Sequence, residues 1–91
     1  MGRHDKLLEM ILRGGSDANV VLDELRGLLH HLGFEERVRG SHHVFRRAGV
    51  FELINLQRDG SKAKVYEVRQ VRAIFTKYAL SGDAPTKAEK D

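Results

Sequence analysis

The chain has 91 residues, a formal net charge of +3, 41% apolar residues and no cysteine. This length suits one domain with a modest core, and the apolar fraction argues against a wholly disordered chain. The absence of cysteine excludes disulfides and thiolate metal sites, and no apolar run reaches the roughly 18–20 residues of a membrane-spanning helix. Because the N-terminus has no apolar signal-peptide core, we expect a cytoplasmic protein that does not associate with membranes.

The positive charge is concentrated in the middle of the chain. Residues 34–79 hold ten Lys or Arg and five Asp or Glu, whereas residues 1–33 and 80–91 each have a net charge of −1. Such a basic segment favours a polyanion, such as nucleic acid, as the partner. A solvated basic face has the same composition, so charge alone leaves both interpretations open.

The first third of the chain has the periodicity of two helices. Apolar residues at helical spacing predict a short helix over residues 6–13, which Gly14-Gly15 ends. A turn-rich loop over residues 16–19 follows. A second helix is predicted to begin at Val21 or Leu22 and to end at His31 or Leu32, just before Gly33.

After Gly33 the apolar period changes from helical to alternating, which predicts three strands. We expect them over residues 34–39, 42–47 and 50–56, separated by turns at 40–41 and 48–49. Short connections between successive strands favour an antiparallel meander, one face of which needs a helical cover. A basic loop over 55–64 and a last helix over 67–78 complete the pattern.

These elements predict an α+β fold with a three-stranded antiparallel sheet, in the order α-β-β-β-α behind an extra N-terminal helix. That order is the one found in double-stranded-RNA-binding domains, whose helices cover one sheet face and leave the other open. We divide the chain into a helical extension over 1–15, a main domain over 16–80 and a disordered tail over 81–91, which lacks apolar periodicity.

The main candidate for chemistry is Gly40-Ser41-His42-His43, where a turn enters the second predicted strand. Gly40 permits a close backbone approach, and Ser41 offers a hydroxyl and an N–H that could seat a phosphate beside an imidazole. Neighbouring strand residues point to opposite faces, so His42 and His43 cannot readily bind one metal. The pattern does not identify the buried face, because each face of this strand has one apolar residue and one arginine.

Other motifs for metals and cofactors are absent from the sequence. Gly14-Gly15 lacks the Lys-Ser/Thr partner of a phosphate-binding loop, and the chain has neither an HExxH pair nor a compact carboxylate cluster. We therefore expect no metal and no cofactor.

Several blocks of the sequence occur in an order that is typical of one family. Gly40-Ser41-His42-His43-Val44-Phe45 is preceded by Leu32-Gly33-Phe34 and followed by Ile54-Asn55-Leu56-Gln57, Asp59-Gly60-Ser61-Lys62-Ala63-Lys64 and Tyr66-Glu67-Val68-Arg69-Gln70-Val71. Together they resemble the HicA (YcfA-like) toxins of type II bacterial toxin–antitoxin systems. The resemblance covers about residues 21–80. The first helix lies outside it, like an extension in some family members, and Val65 stands where many relatives have proline.

The resemblance implies a double-stranded-RNA-binding-like fold, sequence-relaxed and metal-independent cleavage of mRNA, and neutralisation by a HicB-type antitoxin in a hetero-oligomer; a homo-oligomer is also compatible. The family's catalytic histidine directly follows Gly-Ser, which assigns the role to His42. It would act as general base on the ribose 2′-OH or as general acid on the leaving 5′-oxygen. The predicted RNA contacts, whose positive groups would stabilise charge on the phosphate, are Gly40, Ser41, His43, Arg46, Lys62 and Lys64.

Two other functions fit the same basic surface. A non-catalytic RNA-binding module would bind RNA with an affinity that falls steeply with salt, and would release no cleavage products. A protein-interaction domain would use the basic residues to dock an acidic partner. The last interpretation is compatible with a toxin, because an antitoxin can cover the catalytic surface.

Overall fold

A computed structural model describes residues 2–80 of the chain. Its elements are α1 (Arg3–Arg13), a 3-10 turn (Asp17–Asn19), α2 (Leu22–His31), β1 (Glu35–Arg39), β2 (His42–Arg46), β3 (Ile54–Gln57) and α3 (Val65–Lys77). The strands form one antiparallel sheet in the order β1-β2-β3. The predicted α+β class, three-stranded antiparallel sheet and additional N-terminal helix are therefore confirmed. The predicted tail over 81–91 lies outside the described residues.

The register of the sheet decides which face is buried. Partners across an antiparallel sheet share a face. Phe45 pairs with Ile54 and His43 pairs with Leu56, and all four side chains are buried. The alternate residues of β2 therefore lie on the opposite, open face. His42 is the first residue of β2 on this open face. The alternation of strand side chains predicts that His42 and His43 lie on opposite faces, but it does not identify which of the two is buried.

The helices and the buried face of the sheet share one apolar core. The core combines Phe45 and Ile54 of the sheet with residues of all three helices. From α1 it includes Leu7, Leu8 and Ile11, because α1 packs against α2 and α3. The sequence predicts a helical extension over residues 1–15, but α1 within it packs into the core of the main domain. Within residues 2–80, no helix combines the length and the hydropathy needed to cross a bilayer.

The third strand is shorter than predicted. The sequence predicts a strand over 50–56, but β3 begins at Ile54. The segment before it is bound to the end of α3 instead. The backbone N–H of Phe51 donates to Tyr78 Oη at 3.1 Å, and Glu52 accepts from Tyr78 Oη at 2.6 Å and from Lys77 Nζ at 2.7 Å. These contacts take the place of strand pairing and leave the Phe51 side chain 91% exposed.

Candidate active site

The turn between β1 and β2 contains two residues, Gly40 and Ser41. Gly40 has a φ of +61°, a backbone conformation that glycine adopts without the steric cost other residues incur. The Ser41 carbonyl accepts a hydrogen bond from the Arg58 N–H at 2.8 Å, so the loop after β3 supports the turn. A two-residue turn makes the flanking residues, Arg39 and His42, cross-strand partners.

His42 is the first residue of β2, and its side chain is exposed on the open face. Because β2 is the middle strand, His42 has a partner on each side, Arg39 on β1 and Gln57 on β3. Neighbouring strands lie about 4.8 Å apart. We call Arg39, His42 and Gln57 the histidine row. The backbones of Arg39 and Gln57 flank that of His42, and the three side chains share the open face.

A depression of about 380 Å³ lies where the histidine row meets the beginning of α3. We call it the His42 pocket; its lining residues are His42, Asn55, Gln57, Tyr66, Glu67 and Gln70. Asn55 and Gln57 are two residues apart on β3, so their side chains share the open face. Tyr66 and Gln70 are four residues apart on α3 and so share a helix face. The pocket therefore has a strand wall and a helix wall, with the imidazole at its margin.

Glu67 holds the two walls together. Its side chain is fully buried, its Oε2 accepts a hydrogen bond from the Gln57 N–H at 2.8 Å, and its Oε1 accepts one from the Lys64 N–H at 3.0 Å. A buried carboxylate needs such partners, because an unpaired buried polar group is costly. Since both oxygens already accept backbone hydrogen bonds, the role of Glu67 in the pocket is to position α3 against β3.

His43 is placed differently from the other residues of the motif. It is 5% exposed on the buried face, and its Nδ1 lies 2.6 Å from Glu36 Oε2. The sequence predicts that His43 contacts RNA, but this burial removes it from the surface that carries His42. Its contact with Glu36 instead makes it part of the packing between the sheet and α2.

We call Arg26, His30, Glu36 and His43 the Glu36 cluster. The Glu36 carboxylate accepts hydrogen bonds from Arg26 Nε at 2.7 Å and Nη2 at 3.0 Å, and it lies 2.7 Å from His30 Nε2. The hydrogen bonds from Arg26, followed by those of His30 and His43, hold the pKa of Glu36 at about 2, below its ordinary value of 4.5. The cluster thereby joins α2, β1 and β2 through one ionised carboxylate.

None of the three predicted cations, Arg46, Lys62 and Lys64, is a cross-strand neighbour of His42. Arg46 shares the open face but lies four residues along β2, about 13 Å from His42 at the rise of a strand, and its Nε is 3.9 Å from Glu35. Lys64 Nζ lies 3.2 Å from Asp59, and this hydrogen bond raises the pKa of Lys64. Lys62 is exposed in the same loop, where its backbone forms an isolated β-bridge with Val21 ahead of α2.

Arg39 is the cation that sequence reasoning missed. Its pairing with His42 follows from the length of the turn, so counting outward from Gly40-Ser41 would have found it. Arg37, which pairs with Val44, lies on the same open face two residues before it. Tyr66 and Gln70 were also missed, and no local signal identifies them, because their approach to His42 depends on the long-range bonds of Glu67.

The arrangement supports proton transfer beside an anion. Imidazole is the side chain best suited to accepting or donating a proton near neutral pH, and a neighbouring guanidinium favours phosphate binding. Among residues 2–80, no group of three or more His, Asp or Glu side chains is arranged so that it could hold a metal ion. A scan against protein-family models and searches of curated proteins and of solved structures found no match to this chain.

Proposed function

We propose that this protein is an endoribonuclease that cleaves mRNA without a metal ion, with His42 as a proton-transfer residue. The observation that carries the proposal is the histidine row, in which an exposed imidazole has Arg39 as one cross-strand neighbour. The order of elements supports it, since a sheet with one helix-covered and one open face fits a double-stranded-RNA-binding-like domain.

The reaction is a transesterification within the RNA chain. The ribose 2′-oxygen attacks the adjacent phosphorus while the bond from phosphorus to the leaving 5′-oxygen breaks, which gives a 2′,3′-cyclic phosphate and a 5′-hydroxyl. One group accepts the 2′-OH proton and another protonates the leaving oxygen. His42 performs one of these transfers and water the other. Arg39 stabilises the negative charge that develops on the non-bridging oxygens.

The biological role in this proposal follows from the resemblance to HicA toxins. The protein would act as the toxin of a type II system in the cytoplasm, and a HicB-type antitoxin would neutralise it by covering the open face. Arg37, Arg39 and Arg46 on that face suit an acidic segment of such a partner, with Glu35 as their acidic neighbour on β1.

The test is cleavage of labelled RNA by purified protein in the presence of a chelator. We expect the parent to give products with 2′,3′-cyclic ends and His42→Ala to be slower by about 100-fold or more, the usual contribution of a general acid or base. His31→Ala is the matched control, because His31 is an exposed histidine on α2, away from the open face. It should retain the parent rate, and circular dichroism should show both variants folded.

Two results would change the proposal. Cleavage by His42→Ala at the parent rate would remove His42 from the chemistry. Salt-dependent RNA binding by the parent without any products would replace the nuclease by a non-catalytic RNA-binding module.

A further inference from the structure

Charged and neutral polar groups are segregated on the two sides of His42. Toward β1 the open face carries Arg37 and Arg39. Toward β3 and α3, the His42 pocket is lined by the amides of Asn55, Gln57 and Gln70 and by the phenol of Tyr66. The pocket's one carboxylate, Glu67, already accepts two backbone hydrogen bonds. A phosphate is therefore favoured on the β1 side, and a neutral polar group on the α3 side.

The pocket offers hydrogen bonds of both kinds. Each of its three amides has one acceptor oxygen and two donor hydrogens, which match the fixed donors and acceptors along the edge of a nucleobase. Asn and Gln side chains commonly read base edges in this way. Proteins that recognise single-stranded RNA also stack unpaired bases on aromatic rings, and the Tyr66 ring is available because the residue is 60% exposed.

The pocket is preformed. Asn55 and Gln57 are two residues apart on one strand, about 7 Å, and the hydrogen bonds of Glu67 place α3 beside them. The volume of about 380 Å³ falls within the range of small-molecule sites. A base that enters therefore does not have to order the pocket first, which lowers the entropic cost of binding.

We propose that the His42 pocket binds one unstacked nucleobase beside the scissile phosphate and gives the protein a preference among the four bases. The phosphate lies over the histidine row toward Arg39, while the base lies against Tyr66 and hydrogen-bonds to Gln70 and Asn55. The proposal rests on RNA being the substrate, as proposed above, but nucleotide binding in the pocket does not require cleavage.

The first experiment is an NMR titration of ¹⁵N-labelled protein with the four ribonucleoside 3′-monophosphates and, separately, with inorganic phosphate. The side-chain amide signals of Asn55, Gln57 and Gln70 should shift with nucleotide, and the dissociation constants should differ among the bases by about fivefold or more. Inorganic phosphate should shift signals around Arg39 and leave the three amides unchanged. Equal binding of all four nucleotides, or amide shifts with phosphate alone, would overturn the proposal.

Variants separate base recognition from phosphate binding. Gln70→Ala should lower the affinity for the preferred nucleotide by about tenfold, the usual effect of losing one base contact. The affinity for inorganic phosphate should not change. Tyr66→Ala should lower the affinity for all four nucleotides. Tyr66→Phe keeps the aromatic ring, so it should bind them nearly as tightly as the parent does. Thr76→Ala, an exposed residue in the last turn of α3, is the matched control. Unchanged preference in Gln70→Ala would contradict the assignment.

Failure of the pocket and failure of the nuclease give different results. If the parent binds nucleotides with a base preference but cleaves no RNA, the pocket stands and the nuclease does not. If the parent cleaves RNA equally at all four bases and Gln70→Ala leaves the products unchanged, the nuclease stands and the pocket proposal is overturned.

Discussion

At Glu36, side chains from two other elements, α2 and β2, converge on one carboxylate of β1. Its side chain is 7% exposed and contacts Arg26, His30 and His43 at 2.6–2.7 Å. Hydrogen bonds to an ionised carboxylate are stronger than those between neutral groups, so the contact with Glu36 contributes to holding His43 on the buried face. Because successive strand residues alternate, holding His43 inward turns His42 outward. A contact on the helix side of the sheet thus orients the candidate catalytic residue on the other side.

The Glu36 cluster predicts a specific loss of stability in acid. The folded-state pKa of Glu36 is about 2 against an ordinary 4.5, so its contribution is complete above pH 4.5 and is lost as the pH falls toward 2. At pH 7, Glu36→Gln should lower the free energy of unfolding by about 2–3 kcal/mol. Urea unfolding should show this deficit shrinking as the pH approaches 3.

The control for Glu36 is its neighbour Glu35, whose side chain is 81% exposed. Glu35→Gln should change the free energy of unfolding by less than about 0.5 kcal/mol at either pH. Glu52, whose pKa is also lowered to about 2 by Lys77 and Tyr78, is present in parent and variants alike, so its effect cancels. If Glu36→Gln lowered the free energy of unfolding equally at pH 7 and pH 3, the ionisation of Glu36 would not be coupled to folding.

Arg39 provides a second prediction at the residue scale, which depends on the proposed nuclease activity. Arg39→Ala should lower kcat/KM for RNA cleavage by about tenfold or more, because it removes the cation paired across the strand from His42. Arg46→Ala is the matched control, since it removes the same charge from the same face about 13 Å away. A larger effect for Arg46 than for Arg39 would show that the histidine row is misassigned.

At the scale of elements, α1 is the one whose interpretation changes most. The sequence pattern separates it from the main domain by a pair of glycines and a loop. In the structure it lies on α2 and α3, and Arg72 of α3 donates from Nε to the Ile11 carbonyl at 2.7 Å and pairs with Asp17. Helix α1 therefore closes the core on the side opposite the open sheet face.

This packing predicts that the first helix is needed for stability. Ile11 is 1% exposed, so Ile11→Ala should lower the free energy of unfolding by about 2–5 kcal/mol, the usual range for a buried aliphatic residue. Leu12, its neighbour on the same helix, is 42% exposed, and Leu12→Ala should cost less than about 1 kcal/mol. Urea denaturation measures both. Equal effects of the two variants would mean that α1 does not contribute a packed face.

At the scale of the whole molecule, stability and the proposed function use opposite faces of one sheet. The buried face carries Phe45, Ile54 and Leu56 against the helices. The open face carries His42 and arginines, together with the Asn55 and Gln57 amides. Substitutions on the open face remove little buried apolar area, so they should alter the proposed RNA contacts without large losses of stability.

Local sequence determined the order of the elements, the position of α2 and the antiparallel meander. Helical and alternating periods and the turn residues carry that information, because each depends on neighbours a few positions away. The two-residue turn at Gly40-Ser41 also determined the Arg39–His42 pair, although the sequence reasoning did not use it. The choice of His42 over His43 came from the family resemblance alone.

Only the tertiary structure decided which side of β2 faces inward, where β3 begins and what surrounds His42. Alternation left the two faces of β2 equivalent. The contact that holds His43 inward comes from Glu36, a residue on another strand. The β3 boundary depends on the capture of Glu52 by Tyr78 and Lys77. The pocket beside His42 depends on Glu67. These contacts join residues that are distant in the chain, so no local period records them.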